Sequence, residues 1–473
     1  MSFCLIWKHC ATDIKRISEA VMNKFIKINR LKVWTAFLVI FLSGGFGQKI
    51  FAQSNCDCAP NEVIFELSTA ANLPAVAAQY KLKTTPLGQV GTPPTFRMEI
   101  DRMQTTNTPT QIVSAMASDA RIAKPEVNRK LSAAEREGLP WTIGHSWSVG
   151  HSWSVGGSAK GYARQWFPDK IRLNEAQQIS KGDGVTVAVL DTGIDLTHPA
   201  FAGKLVPGYD FVDDDANPSE EGAPHVGSFG HGTHVAGIVA LTAPNAKIMP
   251  LRILNSNGEG ELWRVTAAII WAANHGADII NLSIGYPERS SLLRDLIDSC
   301  NDGATADGKV FPEMGAYRVT VVVGAGNGGQ IGNGTTPVYP ARERVNDGEI
   351  AVGASTRFDR LADFSTFDLD WVRMVAPGEN IVSALPGGRY GVWSGTSMAA
   401  PIVSGIAALV KARNLTISPD LLINQLKETG IRWECQLSTR NVLLKTRRVD
   451  ALCAVTNNQA CGSNQNVCHL NGF

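Results

Sequence analysis

Two histidines lie three residues apart in the stretch FGHGTHVAGIVA, which runs from Phe229 to Ala240. His231 and His234 at this spacing could bind a metal ion, pack into a core, or supply one catalytic base. A metal site needs a third ligand, and the stretch has no HExxH pattern to supply one. His231 follows a glycine-bounded turn and begins an Ala/Val/Ile-rich helical stretch.

An acid and a hydroxyl occupy comparable positions elsewhere in the chain. Asp191 ends the apolar run VTVAVLD and is followed at once by a glycine-containing turn, and Ser397 stands at the entry to the long apolar segment WSGTSMAAPIVSGIAALV. Nucleophilic attack on an acyl group needs a hydroxyl, an imidazole to take its proton, and a carboxylate to hold the imidazole. A serine at a helix N-terminus also has unpaired backbone N–H groups beside it, which favour a developing oxyanion.

A glycine-rich turn supplies a further donor. The run VVVGAGNGG carries Asn327 directly after a predicted strand, and its side-chain amide can donate to an oxyanion. Asn also favours turns for conformational reasons, so Asn327 indicates an oxyanion donor only in combination with Asp191, His231 and Ser397.

The elements that must position these residues alternate in type from Trp166 to about Val455. Short Val/Ile-rich runs such as VTVAVLD, ADIINLSIG and RVTVVVGAGN are separated by helical stretches. Such runs indicate parallel strands buried on both faces of a sheet. The sequence therefore predicts an α/β fold with a mostly parallel central sheet and helices on both faces, with its chemistry at the carboxyl ends of the strands.

The order Asp191, His231, Ser397 and the motifs DTG, HGTHVAG and GTSMAAP resemble the subtilisin-like serine peptidases. The resemblance extends over the α/β region and includes WAANHGADIINLSIG, VYPA and VAPGENI. It implies that Asp191, His231 and Ser397 form a catalytic triad, that Asn327 completes an oxyanion hole, and that His234 is a structural helix residue. It implies no cofactor for the chemistry.

The same resemblance places two walls of a substrate cleft, which would pair with an extended peptide backbone. The residues implied in substrate binding are Ser283, Ile284, Gly285 and Tyr286 on one wall, Gly258, Glu259 and Gly260 on the other, together with Leu254 and Val338. Tyr286 and Val338 stand where many relatives have glycine. Both would narrow the primary pocket, so we expect cleavage after small or medium residues.

The chain divides into five predicted segments by composition and by this resemblance. They are an upstream extension and signal peptide (1–53), a small α+β pro-domain (54–128), a linker with a GHSWSV duplication (129–163), the peptidase domain (164–455) and a Cys-containing tail (456–473). The apolar run Val33–Leu42 is too short to span a bilayer, although a membrane anchor is the alternative. An unrelated small domain is the alternative for 54–128, which reads as strand, helix, strand, helix, strand.

The cysteines and one acidic loop raise further expectations. Four cysteines near the C-terminus predict two disulfides in an exported protein, with three pairings open: Cys435, Cys453, Cys461 and Cys468. Cys300 is expected to be a buried thiol. By resemblance to thermitase-like members, a calcium ion would be held in the loop YDFVDDDANPSEEG by Asp210, Asp213, Asp215 and Asn217. A solvated acidic loop is the alternative.

Composition limits the partners. Lys and Arg total 44 against 43 Asp and Glu, so the net charge of +1 gives no reason to expect nucleic acid or an anionic membrane. We therefore expect a secreted, monomeric serine endopeptidase, extracellular or periplasmic, that is made as a zymogen. Its partners would be protein substrates and its own pro-domain in cis. A processing peptidase with one substrate and a catalytically silent peptide-binding relative are the alternatives.

Overall fold

A computed structural model of the chain describes residues 58–133, 158–224, 227–286, 288–302, 318–328, 338–343, 349–368, 370–437, 442–460 and 465–468. The predicted signal segment and the GHSWSV duplication lie outside these residues. Among the described helices, none is long and apolar enough to cross a membrane.

The N-terminal unit is a small antiparallel sheet with two helices. Its elements are β1 (Cys58–Leu67), α1 (Leu73–Tyr80), β2 (Gly88–Val90), β3 (Thr95–Glu99), α2 (Pro109–Met116) and β4 (Ile122–Ala133). The order β4-β1-β3-β2 adds one short strand to the predicted pattern. Thr108 caps α2 through a capping box with Gln111, which satisfies two backbone donors at once. Phe65, Phe96 and Met116 lie in its apolar core.

The remaining described elements build the predicted α/β fold. The strands are β5 (Thr186–Asp191), β6 (Tyr209–Asp210), β7 (Lys247–Arg252), β8 (Glu259–Glu261), β9 (Ile279–Leu282), β10 (Ile284–Gly285), β11 (Thr320–Gly324), β12 (Glu349–Ser355), β13 (Val372–Pro377), β14 (Ile381–Leu385), β15 (Arg389–Trp393), β16 (Ile431–Leu437), β17 (Val442–Arg448) and β18 (Gln465–Cys468). The helices are α3 (Ala159–Ala163), α4 (Trp166–Lys170), α5 (Leu173–Ala176), α6 (His231–Thr242), α7 (Leu262–Asn274), α8 (Ser291–Asp302), α9 (Thr396–Arg413), α10 (Pro419–Thr429) and α11 (Ala451–Thr456).

The central sheet runs β18-β16-β17-β13-β12-β11-β9-β5-β7-β6 and is parallel from β17 through β13 to β6. Alternate residues of β5 point to opposite faces, because side chains alternate along a strand. Val187 and Val189 pack with α6 and α9, whereas Ala188 and Leu190 pack with α7 and α8. Both faces are therefore covered by helices, as the continuous apolar runs predicted.

Strand β4 joins the two parts of the chain. It pairs with β1 in its own unit and also with β8 and β10. The strand continues to Ala133, past residue 128, where the sequence placed the end of the N-terminal unit. The residues after 128 are largely polar and carry no strand pattern of their own, and backbone pairing with β8 and β10 holds them extended. The linker predicted at 129–163 therefore begins with ordered strand.

Candidate active site

A buried acid–imidazole pair lies at the carboxyl end of β5. His231 Nδ1 lies 2.6 Å from Asp191 Oδ1, and both side chains are 1% exposed. The backbone N–H of Thr192 donates to the same carboxylate oxygen at 2.8 Å. When Nδ1 carries the proton that Asp191 accepts, Nε2 is left as the acceptor, which is the tautomer that a general base needs.

Two glycines bring this pair together. Gly230 precedes α6 with φ of +92°, a left-handed conformation that glycine adopts without steric cost. A Cβ on Gly232 would lie 2.1 Å from the carbonyl oxygen of Gly193. The first turn of α6 therefore approaches the turn after β5 as closely as only glycine allows, and this approach sets His231 against Asp191.

Ser397 is the second residue of α9, and its helix packs along α6. Ser397 is buried, and its hydroxyl lies 3.5 Å from the carbonyl oxygen of Ser283. A hydrogen bond at this length is weak, so rotation about χ1 can turn the hydroxyl to another acceptor. In the first turn of α9 the Thr396 N–H donates to Asn327 and the Met398 N–H to the carbonyl oxygen of Gly395. Among the donors described there, the backbone N–H of Ser397 is the one left to face an anion.

Asn327 is anchored beside the start of α9. Its Oδ1 accepts hydrogen bonds from the backbone N–H of Thr396 at 2.9 Å and from the Thr396 hydroxyl at 3.2 Å. Because its carbonyl oxygen is fixed in this way, the amide nitrogen Nδ2 points away from the helix start. The side chain can thus present a donor to an oxyanion that forms next to Ser397.

The two predicted cleft walls hold a strand of the chain itself. On one side, β4 pairs Ser132 with Gly285 and Ala133 with Ile284. On the other side, β4 pairs Lys130, Leu131 and Ser132 with the strand Glu259–Glu261. An extended peptide is therefore held between two strands by backbone hydrogen bonds, the arrangement predicted for a substrate.

The structure places the other predicted wall residues around this strand. Ser283 contributes its carbonyl oxygen near Ser397, and Gly258 lies in the turn before β8, where it donates to Asn255. A Cβ on Gly260 would lie 2.6 Å from the Leu254 side chain, so Leu254 supports that wall from beneath. The described cleft thus brings together both walls and the catalytic candidates at the same edge of the sheet.

The sequence model of the subtilase family, peptidase S8, matches residues 182–459. The chain belongs to the subtilase family. It is 40% identical over 267 residues to the thermophilic serine proteinase of Bacillus sp. (strain AK1), covering 54% of this chain and 58% of that protein. It is 35% identical over 287 residues to thermitase of Thermoactinomyces vulgaris, covering 57% of this chain and 92% of thermitase. The chain therefore spans little more than half the length of one relative and most of the other.

The fold is also that of a subtilase structure. Fervidolysin from Fervidobacterium pennivorans, described as a keratinolytic enzyme related to subtilisin, superposes with a TM-score of 0.64 at 23% identity. The match covers 84% of this chain and 61% of that one. At this identity the similarity is one of fold. It covers 84% of the chain, more than the family match over residues 182–459, and so extends beyond the peptidase region.

His234 is a core residue of this subtilase. Its ring stacks on Trp393 with centroids 4.9 Å apart and planes 11° from parallel, and it is fully buried. Burial and the neighbouring His231 lower the pKa of His234 to about 3. The ring is therefore neutral and packed, and the described residues provide no set of further ligands around it for a metal ion. The interpretation of His234 as a structural residue agrees with this packing.

We predict that replacing His234 by Asn removes part of the acid sensitivity of the fold. Between the ordinary His pKa of 6.5 and the lowered value of about 3, the unfolded chain binds more protons than the folded one. The contribution of His234 to the free energy of unfolding is therefore fully present above pH 6.5 and is lost as the pH falls towards 3. From pH ~7.5 to ~4.5 the loss through this group is about 2.5 kcal/mol. Urea unfolding of both proteins, each carrying Ser397→Ala, measures it, and equal pH slopes would contradict the prediction.

Val338 lies between Gly285 and Gly326, at the predicted primary pocket. A Cβ on Gly285 would lie 2.4 Å from Val338 Cγ1, and a Cβ on Gly326 would lie 2.6 Å from Val338 Cγ2. Its side chain thus contacts both walls and fills the space between them. Tyr286 is held by its backbone, which pairs with that of Tyr339. Its side chain is buried, and burial together with nearby carboxylates raises the pKa of its hydroxyl.

The acidic loop is built around an arginine. The guanidinium of Arg252 lies 2.5 Å from carboxylate oxygens of Asp210 and Asp213 and 3.0 Å from that of Glu221. Asp215 accepts from the backbone N–H of Asn217 within the loop. Asp210 and Asp213 converge with Glu221, and all three face Arg252, whereas Asp215 and Asn217 bond to each other within the loop. The four predicted ligands therefore do not form one set, and a calcium ion in this loop stays a prediction.

We predict that Arg252→Gln destabilises the folded protein by about 3 kcal/mol, because removing one partner leaves the buried Asp210 carboxylate uncompensated. The side chains of Arg252 and Asp210 are 4% and 1% exposed. Arg447→Gln is the matched control, since Arg447 pairs with the exposed Glu428, and exposed pairs contribute less than about 1 kcal/mol. Denaturant unfolding of both variants in the Ser397→Ala background tests the difference. Equal losses for the two arginines would show that the loop does not depend on Arg252.

Three residues that contact the histidines or the helix starts were not predicted from the sequence. Trp393 covers His234 and lies 5.8 Å from the His231 ring. Glu126 of β4 accepts from the backbone N–H of Leu292 at 3.0 Å, and Asn128 accepts from that of Trp263 at 3.1 Å. The last two cap α8 and α7 from another unit of the chain, so no local capping signal could reveal them.

Proposed function

We propose that this subtilase is a serine endopeptidase in which Ser397 is the nucleophile, His231 the general base and Asp191 its orienting acid. The observation that carries this proposal is the buried 2.6 Å hydrogen bond between His231 and Asp191, next to the helix that presents Ser397. The intact set of acid, imidazole, hydroxyl and amide favours an active enzyme over a silent peptide-binding relative, because each is required by one step of the reaction.

The reaction begins when Ser397 Oγ attacks the carbonyl carbon of the scissile bond and its proton passes to His231 Nε2. Asp191 stabilises the imidazolium, while the amide of Asn327 and the backbone N–H of Ser397 bind the oxyanion. Collapse of the tetrahedral intermediate breaks the C–N bond, and His231 gives its proton to the leaving amine. Water, activated by the same imidazole, then hydrolyses the acyl-enzyme and restores the Ser397 hydroxyl.

The N-terminal unit acts as a pro-domain in cis in this proposal. Support comes from β4, whose residues Lys130 to Ala133 pair with both cleft walls, and from the caps that Glu126 and Asn128 place on two helices of the peptidase part. The family resemblance implies a cut between Val127 and Trp166, in or beside the predicted linker. Because pairing with the wall continues to Ala133, we place the cut after this residue and before Ser158.

Small or medium-sized residues are the proposed choice at the position just before the cut. Val338 occupies the space between Gly285 and Gly326, which leaves little room for an aromatic side chain. Backbone pairing along both walls supplies affinity that is independent of side chains. The enzyme is thus expected to accept varied sequences with one restricted position; a processing peptidase with a single substrate remains the alternative.

Export, oxidation and calcium belong to the proposal as further expectations. Cys435 stands opposite Cys468 in the pairing of β16 with β18. We propose a Cys435–Cys468 bond in a secreted monomer. Cys300 is a free, buried thiol, as predicted. Calcium is not required for the chemistry, and a calcium titration of the melting temperature tests whether the acidic loop binds it despite Arg252.

The test is the intact mass of the purified wild-type chain beside Ser397→Ala, with Ser418→Ala as a control at another helix start. We expect the wild type and the control to lose the N-terminal unit, and Ser397→Ala to retain it. Retention in all three, with no hydrolysis of casein by any of them, would overturn the proposal in favour of a silent binder. Loss in all three would show that another peptidase makes the cut.

A further inference from the structure

A carboxylate from the acidic loop reaches the helix that carries the catalytic base. Glu220 Oε2 accepts a hydrogen bond from the backbone N–H of Thr233 at 3.1 Å and another from the Thr233 hydroxyl at 2.9 Å. Thr233 is the third residue of α6, which begins at His231. Its backbone N–H has no acceptor within the helix, so the carboxylate satisfies an otherwise orphaned donor.

The same carboxylate is tied to the end of β5. The Thr192 hydroxyl and the Gly230 N–H face it, and Thr192 Oγ1 in turn accepts from the backbone N–H of Gly232 at 2.9 Å. The backbone N–H of Glu220 itself donates to the carbonyl of Ile194 at 3.0 Å. Glu220 therefore bridges the residue after Asp191 and the first turn that presents His231.

The charge of Glu220 also matters at this point. Burial, reinforced by the Asp191 carboxylate, raises the pKa of Glu220 to about 7 despite the hydrogen bonds that favour ionisation. Three titratable groups lie closest along the chain: Asp191 at the end of β5, His231 at the start of α6, and Asp195 in the turn after β5. The same elements also carry His234, which is neutral, and the ion pair of Glu221 with Arg252. Asp195 is directed to Thr197 and to the Gly387 N–H. Negative charge near a helix N-terminus opposes the positive end of the helix dipole, which would otherwise disfavour an imidazolium there.

We propose that Glu220 is a positioning residue for His231: its carboxylate clamps the first turn of α6 onto the end of β5 and places a negative charge beside the Asp191–His231 pair. This inference rests on the proposed function, since it assigns Glu220 a part in supporting the general base. Glu220 does not touch the reacting atoms and acts only through the helix start and through its charge.

The test compares Glu220→Gln, Glu220→Asp and the surface control Glu175→Gln in rates normalised to active sites by a covalent serine titrant. Gln keeps an oxygen for the Thr233 N–H and loses the charge. We therefore expect kcat to fall about 10-fold with KM unchanged, because the imidazolium loses stabilisation equivalent to about one pKa unit. The acid limb of the kcat/KM profile moves to lower pH by about half a unit, which is less than the effect on kcat because Glu220, with its pKa of about 7, is already partly protonated in this pH range. Glu220→Asp, which keeps the charge, is expected to recover most of the wild-type kcat and most of the wild-type position of the acid limb.

Wild-type kcat and an unmoved acid limb in Glu220→Gln would overturn the proposal and leave Glu220 as a loop anchor. A second readout does not depend on hydrolysis. In Ser397→Ala protein, the downfield proton resonance of the Asp191–His231 hydrogen bond is expected to shift its titration to lower pH when Glu220 becomes Gln, and an unchanged titration would contradict the role. If wild-type enzyme proves inactive while this resonance moves, the proposed function fails and the positioning by Glu220 stands.

Discussion

Asp191→Asn is expected to lower kcat by between about 10³- and 10⁴-fold, with KM changed little, because the buried imidazolium loses the charge of the carboxylate that is hydrogen-bonded to it. The hydrogen bonds of Asp191 indicate why kcat would fall. Thr192 N–H and His231 Nδ1 both use the same carboxylate oxygen, Oδ1. The Asn oxygen is held at that position by Thr192, so the imidazole keeps its tautomer and the measured loss reports the charge.

The control for this prediction is Asp195→Asn, the same chemical change in the turn that follows β5. Asp195 accepts from the Thr197 and Gly387 backbone N–H groups rather than from His231, so its kcat is expected to stay within about threefold, as for a substitution outside the charge network. Single-turnover acylation of an ester and a peptide substrate separates chemistry from product release. A loss below tenfold in Asp191→Asn would mean that another group supports the imidazole.

The triad candidates could be predicted from sequence because of where parallel strands end. Asp191 and Asn327 each follow an apolar run at a glycine turn, and carboxyl ends of parallel strands meet at one edge of the sheet. His231 and Ser397 begin apolar helices, so their positions relative to the strands follow from strand–turn–helix order. The α/β fold and the central sheet follow from the same runs, and the structure confirms both.

The residues that the sequence did not reveal are joined by contacts across long separations. Glu220 caps a helix that begins well after it, and Glu126 caps a helix of a different unit. A local capping pattern cannot show either one. The acidic loop predicted a cation, and a cation is present, but it is the guanidinium of Arg252 at the end of β7. Only the parallel pairing of β6 with β7 brings that side chain to the loop.

Under the proposed function, the cleft walls are occupied first by β4 and later by a substrate. Strand β4 pairs with β8 and β10 through its backbone, and a substrate would use the same donors and acceptors. Because the N-terminal unit also buries Ile64 and Leu131 against the α7 and α8 layer, it competes with substrates from a larger interface. The cut alone therefore need not release it, and full activity is expected to lag behind the mass change of the chain.

Val338→Gly is expected to reverse the preference of the enzyme at the position before the cut. The wild type should cleave peptides with Ala at this position faster than those with Phe, because the Val338 side chain contacts Gly285 and Gly326 and fills the space between them. Removing three carbons from a pocket wall is expected to change the discrimination between the two peptides by at least about 10²-fold, since a single methylene in an apolar pocket changes it by roughly 10–200-fold. The ratio of kcat/KM for two peptides that differ only in this residue measures the change.

Val338→Ala is the graded variant for the same experiment and should give an intermediate ratio, because it removes two of the three carbons. Both substitutions leave a cavity in a site that is 7% exposed, so a stability loss of about 1–3 kcal/mol is expected whatever the specificity. The ratio is insensitive to that loss, since both peptides meet the same folded enzyme. If Gly and Ala at this position preserve the wild-type ratio, the pocket is limited by another side chain, and Tyr286, which adjoins Gly285 and pairs with Tyr339, becomes the residue to replace.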